Sequence, residues 1–567
     1  MAVCSEQIIS QDYADYIVEY GGIEENIYNI YETDCVQIFN ERYAAFHLPV
    51  ASMATAVNAL AYSAIPKLFG LMDTSSMDQS GITRLHQQPY LGLLGQEVIV
   101  GIIDTGIDYT HPVFKRSDGS TRIVRIWDQS IEPARENPEA VPAVDYGSVY
   151  TAQDINRALN DENPLSIVPS MDTDGHGTFM AGIAAGSEDV VNDFIGAAPR
   201  ADIAVVKLKP AKEYLRQFYL IREGVPAYQE NDIMAAVAYL LRLSQSLRRP
   251  LSICIGLGTN SGDHNGGSYI SRFLHMAGTL AGVSIACAAG NEANRGCHYR
   301  GTVAAEDEYT EVELRVDRDE GGFVTELWGQ APDIYSVGFV SPGGEVVARL
   351  SPKIGELQRI SFFLEPTVIY VNHRIVEAAS GGEVIFIRFA DPVPGVWRIR
   401  VYGSNLLTRV FHMWLPIHGF ISEGTQFLIP QPDNTVTTPG DAWSALCVGA
   451  YNHYNNSIYL YSGRGFTPSG MVVPDFCAPG VNVFGPGLRG RFTTRSGTSV
   501  AAAHACGAAA LLLQWGIFRR GEYTMSTTQV RQYLIRGARR QSDIIYPSRI
   551  WGYGTMDVYN AFEIFIT

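Results

Sequence analysis

Near its C-terminus the chain reads RSGTSVAAAHACGAAALLLQ. A run made almost wholly of alanine, glycine and cysteine reads as the first turns of a buried helix. Alanine favours the helical backbone, and the missing side-chain volume lets neighbouring elements approach closely. Such a helix belongs inside a large layered core. Ser499 stands at its start, after Gly497 and Thr498. A hydroxyl there is either an N-cap, accepting from a free backbone N–H, or a nucleophile held at a helix terminus. Taken alone, the segment favours the cap, because capping serines are common.

The chain has 567 residues, enough for two to four domains. Hydrophobic residues make up 46% and charged residues 18%, as a globular protein with a large core requires. The formal charge of −17 excludes a general nucleic-acid binder, which needs clustered Lys and Arg. The N-terminus shows no basic segment followed by an apolar one, so no secretory signal is expected. No membrane span is expected either, since the longest apolar stretch, about Ala501 to Trp515, is short and contains His504. The eight cysteines form no CxxC pair, which argues against zinc, and several lie in apolar runs. Reduced thiols and a cytoplasmic or spore-associated location are the expectation.

Residues 1–79 read as a small α+β unit: CVQIFNERYAAFHLP as a strand or hairpin, VASMATAVNALAYS as a helix, IPKLFGLMD as a strand, and then a loop. From residue 80 to 297 apolar strands such as EVIVGIID, ADIAVVKLK, PLSICIGLG and VSIACAAGN alternate with helical stretches. That alternation, with strands apolar on both faces, marks an α/β fold with a buried parallel sheet. Residues 298–430 change to short alternating segments with turns between them, an all-β sandwich or jelly roll of about nine strands. The α/β pattern resumes over 431–567, so the β unit is an insertion.

Three Gly-flanked polar sites lie in the α/β part: Asp104 in IIDTGID, His176 in TDGHGTFMAG and Ser499 in SGTSVAAAHACG. A serine hydroxyl needs a base to take its proton. An imidazole can do so near neutral pH, and a carboxylate can orient that imidazole. The order Asp, His, Ser and the three motifs resemble the signature segments of the subtilisin-like serine proteases, the subtilases. The resemblance implies a parallel sheet flanked by helices and an endopeptidase in which Asp104 orients His176 and Ser499 attacks the peptide carbonyl. ACAAGNEAN matches the family's oxyanion-hole strand, so Asn291 would donate its side-chain N–H, with the Ser499 backbone N–H as second donor. Loss of that asparagine in subtilisin slows turnover on the order of 10²–10³-fold. ICIGLGTNSG matches the substrate-binding strand. Gly256, Leu257 and Gly258 would line one wall of the first specificity pocket and Ala288, Ala289 and Gly290 the other. Ala503 departs from the proline that the family has immediately before the helix histidine.

His111 and His504 read as structural, Asp108 as a turn or helix-start residue, Asp172 and Asp174 as supports for the loop before His176, and Cys477 as core. Glu292 could bring negative charge to the pocket. The small N-terminal unit, the β insertion and the missing signal are similar to the Csp group of clostridial spore-germination proteases. That resemblance implies an inhibitory prodomain bound in the active site, a cut near Gln79–Ser80, and a protein substrate such as the zymogen of a cortex-lytic enzyme. Some of that group have lost triad residues and act as non-catalytic signalling proteins, so a plugged regulatory protein is the second reading. No cofactor is required for the chemistry. Calcium is used by many subtilases, but no EF-hand-type ligand run supports it here.

Overall fold

The computed structural model describes residues 2–21, 28, 33–52, 64–69, 76–88, 91–131, 142–306, 308–352 and 357–563. At the N-terminus β1 (Tyr13–Glu19), β2 (Val36–Ile38) and β3 (Tyr43–Pro49) form an antiparallel sheet in the order β1-β3-β2. β1 and β3 carry consecutive buried residues rather than alternating ones because both faces of this small sheet are covered. Ile17, Phe39 and Tyr43 pack on the α/β unit, where Tyr43 meets Phe273 edge-on at 5.9 Å. Tyr16 and Phe46 face the other way, into an apolar cluster that includes Trp328, Phe386 and Trp414 of the β-rich part. The expected helix over VASMATAVNALAYS falls largely on residues 53–63, outside the described residues; Val50–Ser52 is one 3₁₀ turn. Beyond it, β4 (Leu68–Phe69) pairs with the later strand at Tyr228–Gln229.

The reduced-thiol expectation needs one correction. Cys4 and Cys35 are disulfide-bonded, because the N-terminal helix Ala2–Ile9 lies against the segment entering β2. The other six cysteines are free and buried.

The α/β strands are β5 (Ile99–Asp104), β6 (Ile123–Asp128), β7 (Ser148–Thr151), β8 (Asp202–Lys207), β9 (Tyr228–Gln229), β10 (Leu251–Ile255) and β11 (Val283–Ala288). The β-rich part supplies β12 (His298–Thr302), β13 (Tyr309–Val316), β14 (Gly322–Gly329), β15 (Ile334–Val340), β16 (Val346–Val347), β17 (Leu357–Ser361), β18 (Val368–Arg374), β19 (Glu383–Ala390), β20 (Gly395–Ser404), β21 (Val410–Trp414) and β22 (Gln426–Phe427). The α/β part then returns with β23 (Leu446–Asn452), β24 (Ser457–Ile458), β25 (Phe476–Pro479), β26 (Val483–Pro486) and β27 (Phe492–Arg495).

The large sheet runs β24-β23-β11-β10-β5-β8-β6-β7, with β25 pairing on β23. Its centre, β23, β11, β10, β5, β8 and β6, is parallel, and all residues of β5, β10 and β11 are buried. Helices cover both faces, as parallel strands require. The helix Thr498–Leu513 is buried along its whole length. It continues through a π-helical turn to Arg519, giving 22 residues long and apolar enough to cross a membrane, longer than the sequence suggested; its most apolar window is entirely buried.

β12–β22 form two antiparallel sheets, β12-β21-β14-β19-β18-β17 and β16-β15-β20-β13-β22, packed around a core that includes Phe323, Phe389 and Trp397. Patterning missed two of these strands. β12 has only two buried positions among its five residues, and β22 is two residues long.

Candidate active site

Asp104 is the last residue of β5, at the carboxyl edge of the parallel sheet, where open α/β sheets collect their functional groups. His176 is the first residue of the helix His176–Ala185, and Ser499 the second residue of the helix Thr498–Leu513. The three meet. His176 Nδ1–H donates to both carboxylate oxygens of Asp104, at 2.8 and 2.9 Å. His176 Nε2 stands 3.2 Å from Ser499 Oγ. Exposure is 1% for Asp104, 1% for His176 and 0% for Ser499, so all three side chains are buried.

The surroundings hold each group by backbone and hydroxyl contacts. The Thr105 N–H donates to Asp104 Oδ1 at 2.8 Å. The Thr105 hydroxyl lies 3.0 Å from Asp172 Oδ1 and accepts from the Gly177 N–H at 2.9 Å. Asp172, fully buried, accepts from the N–H groups of Gly175 and Thr178 at 2.8 and 2.9 Å and so shapes the turn that starts the histidine helix. Asp174 accepts from the His176 N–H at 3.2 Å. Gly177 has no room for a side chain: a Cβ would collide with the Gly106 backbone and stand 3.1 Å from the Asp104 Cβ.

Asn291 lies beside Ser499 through Thr498. The Thr498 N–H, which can only donate, fixes the Asn291 side-chain oxygen at 3.0 Å. The amide nitrogen is thereby directed away from Thr498, available as a donor. The Thr498 hydroxyl accepts from the Gly290 N–H at 3.1 Å, tying the strand end to the helix start. Thr105 and Thr498 were not singled out in the sequence, though each stands next to a motif residue within the quoted segments.

Gly256 follows β10 and lies directly against the pair. A Cβ there would stand 3.0 Å from the Ser499 Cβ and 3.3 Å from His176 Cε1. A side chain at this position would therefore crowd both Ser499 and His176. Leu257 and Gly258 continue from it, both buried. Ala288 and Ala289 are buried at the end of β11, and Gly290 turns with φ +95 against Thr437.

Glu292 does not present a free charge to the site. It is buried and accepts the His418 N–H at 3.0 Å from the segment after β21, and burial pushes its carboxyl up to about 7. His504 is held at both ring nitrogens: Nδ1–H donates to the Val500 carbonyl at 2.7 Å and Nε2 accepts the Ser76 N–H at 2.7 Å. Burial takes it down to about 3, so it is neutral. His111 caps the turn Pro112–Phe114, and Asp108 accepts from the Thr110 and Arg489 N–H groups. Cys477 is core in β25.

Gln79 and Ser80 are not brought to Ser499. They lie in a turn where the Ser80 hydroxyl donates to the Met77 carbonyl and the Ser80 carbonyl accepts from the Val558 N–H. Among the described residues no group of three or more His, Cys, Asp or Glu is placed to hold a metal ion.

The subtilase family pattern matches residues 95–313 and 421–554, most of the α/β part on both sides of the β sandwich. The chain is a subtilase. Subtilases are serine endopeptidases, and this one is similar in structure to the CspB protease of Clostridium perfringens, with TM-score 0.76 and 31% identity over 86% of this chain and 97% of that chain. It is 25% identical to the subtilisin-like protease SBT3.6 of Arabidopsis thaliana over 39% of this chain and 29% of that protein. It is 31% identical to the mouse membrane-bound transcription factor site-1 protease over 23% of this chain and 12% of that protein. The subtilase thus spans less than a third of the length of these curated relatives.

Proposed function

We propose that this subtilase cuts peptide bonds with Asp104, His176 and Ser499 as its triad, and that it first cuts its own N-terminal part. The observation that carries this is the continuous contact from Asp104 through His176 to Ser499 Oγ. His176 Nε2 takes the Ser499 proton as Oγ bonds to the substrate carbonyl carbon. Asp104 stabilises the imidazolium. The oxyanion accepts from the Ser499 N–H, one of the unpaired groups of the helix start, and from the Asn291 amide. His176 then returns the proton to the leaving amine, and water hydrolyses the acyl-enzyme by the same route. The Ser–His distance of 3.2 Å is long for this transfer and should tighten when substrate binds.

Ala288–Gly290 and Leu257–Gly258 would flank the side chain before the cut, with Gly256 keeping the strand close to Ser499. The likeness to CspB supports a role in limited proteolysis of a protein substrate, by extension a cortex-lytic zymogen in spore germination, and a cytoplasmic or spore-associated location. The second reading, a plugged regulatory protein, draws on the burial of the three side chains, with Ser499 at 0% exposure. Intact mass and N-terminal sequencing of wild type and Ser499→Ala separate the two. Two pieces in wild type and one chain in the mutant support self-processing. A mature start at Ser80 supports the Gln79–Ser80 cut, and a start before Ser76 moves it upstream of the His504 contact. One intact chain in both, with no hydrolysis of added peptides, favours the regulatory protein.

A further inference from the structure

Between the β sandwich and the α/β unit lies a cleft of about 970 Å³. Strand register builds one wall. On β12, β21 and β14 the residues His298, Trp414 and Glu326 stand side by side, and two residues along the same face stand Arg300, His412 and Trp328. The first row closes on the α/β unit: His264 stacks on Trp414 at 4.1 Å, and the Gly262 N–H donates to Glu326 at 3.0 Å. The second row stands back and faces the loop Asp263–Gly267, Arg272 and Trp443 across open space.

Several groups there are not used by the fold. The Gln431 carbonyl takes the proton of His298 Nδ1 at 3.0 Å, so His298 Nε2 accepts from His412 Nδ1–H at 2.9 Å. That leaves His412 Nε2 as an acceptor with no protein partner among the described residues, on a side chain only 8% exposed that lines the cleft. Arg300 is exposed and has no ion pair or hydrogen bond among the described residues. Trp443 is 60% exposed; its indole N–H goes to the Asn265 carbonyl and its ring meets His275 in a T-shaped contact at 6.1 Å, and the exposed remainder lines the cleft.

Three arginines, Arg272, Arg300 and Arg549, line the cleft, and among them Arg300 alone has no ion pair among the described residues. Against them stand Asp433, 3.8 Å from Arg549, and Asp263, whose carboxyl burial and Asp441 push up to about 7; Arg272 also pairs with Glu19 at 2.8 Å. Along the chain, Gly256–Gly258 is followed within a few residues by the loop Asp263–Gly267 that forms the far wall of the cleft.

We propose that this cleft is an exosite for an acidic segment of the protein substrate, with Arg300 pairing a carboxylate, Trp443 taking an apolar side chain and His412 Nε2 accepting a backbone N–H. The proposal rests on the endopeptidase reading only for the identity of its ligand as substrate. A polypeptide is favoured over a glycan because the unpaired Arg300 and the His412 Nε2 acceptor match a carboxylate and a backbone N–H, and the substrate of a peptidase is a polypeptide.

The test uses full-length Ser499→Ala and a labelled peptide with several glutamates and one tryptophan, compared with its glutamine analogue by fluorescence anisotropy. The acidic peptide should bind roughly tenfold more tightly, and Arg300→Glu should weaken it by about tenfold or more, with Arg300→Gln in between. Raising salt should erase the difference. In the wild-type background Arg300→Glu should leave kcat/KM on a short peptide unchanged and lower it on a peptide extended by the acidic stretch. Equal binding of the two peptides, or indifference to both Arg300 variants with unchanged melting, overturns the proposal. So does binding of an anionic oligosaccharide in preference to the peptide. Because binding is read on a protein lacking the nucleophile, failure of the peptidase reading would show separately, as no hydrolysis by the wild type.

Discussion

Lys212 is the most informative single position for the attachment of the N-terminal sheet. It belongs to the α/β unit, yet its ammonium donates to Asp15 Oδ1 at 2.7 Å, to the Tyr13 carbonyl at 3.0 Å and to the Gln7 carbonyl at 3.1 Å, all in the N-terminal part. Both side chains are essentially inaccessible, at 1% and 0%. Burial alone would push the Asp15 carboxyl up. The Lys212 charge and the His47 hydrogen bond outweigh it and hold Asp15 well below the usual carboxylate range. Lys212→Met would leave that carboxylate with only His47 and Gln229, and would strand two carbonyls. Removing one partner of a buried pair costs about 3–5 kcal/mol, a factor of roughly 150 to 5,000 in the open population. Hydrogen exchange of the β1 and β3 amides should accelerate by that factor, while β5 and β10 stay protected. The double variant Asp15→Leu/Lys212→Met, which removes both charges, should recover much of the loss. The depressed Asp15 also sets a pH sign. Its stabilisation is complete above the ordinary carboxylate value of about 4 and fades as pH falls further. Unchanged exchange in Lys212→Met, or a double variant no better than the single, would refute this account of the attachment.

Asp104→Asn should lower kcat by about 10⁴-fold, since an amide facing His176 Nδ1 favours the wrong tautomer, with little change in melting temperature. Asn291→Ala should lower kcat by roughly 10²–10³-fold with KM nearly unchanged, as read by steady-state hydrolysis of one peptide. Glu292 is a raised carboxyl, so the folded chain prefers it protonated and its contribution is lost as pH climbs from 4.5 through about 7. Glu292→Gln should therefore stabilise the protein by about 3 kcal/mol at pH 8 but only about 1 kcal/mol at pH 5, measured by urea unfolding.

Much of this molecule could be read from its residues, for definite reasons. Buried parallel strands such as β5 and β10 announce themselves as unbroken apolar runs, and the Gly-flanked motifs leave few residues that could act as base or nucleophile. What escaped depends on contacts between distant segments. The pairing of Cys4 with Cys35 depends on where the first helix docks. The quiet role of Glu292 depends on a backbone N–H arriving from residue 418. The need for a glycine at 256 depends on Ser499 and His176, which arrive from distant segments and leave little room for a Cβ there. The cleft row Arg300, His412 and Trp328 comes from three strands far apart in the chain, and no local pattern marks it.

The distance along the chain between base and nucleophile has a consequence for synthesis. His176 follows Asp104 by 72 residues, but Ser499 follows His176 by 323, with the whole β sandwich between them. At about 5–20 residues per second, roughly 15–65 s separate the emergence of the two groups. Throughout that interval the nascent chain carries a carboxylate and an imidazole but no nucleophile. If the proposed triad does the cutting, neither its own unfinished segments nor neighbouring nascent proteins can be cut by it until Ser499 has left the ribosome.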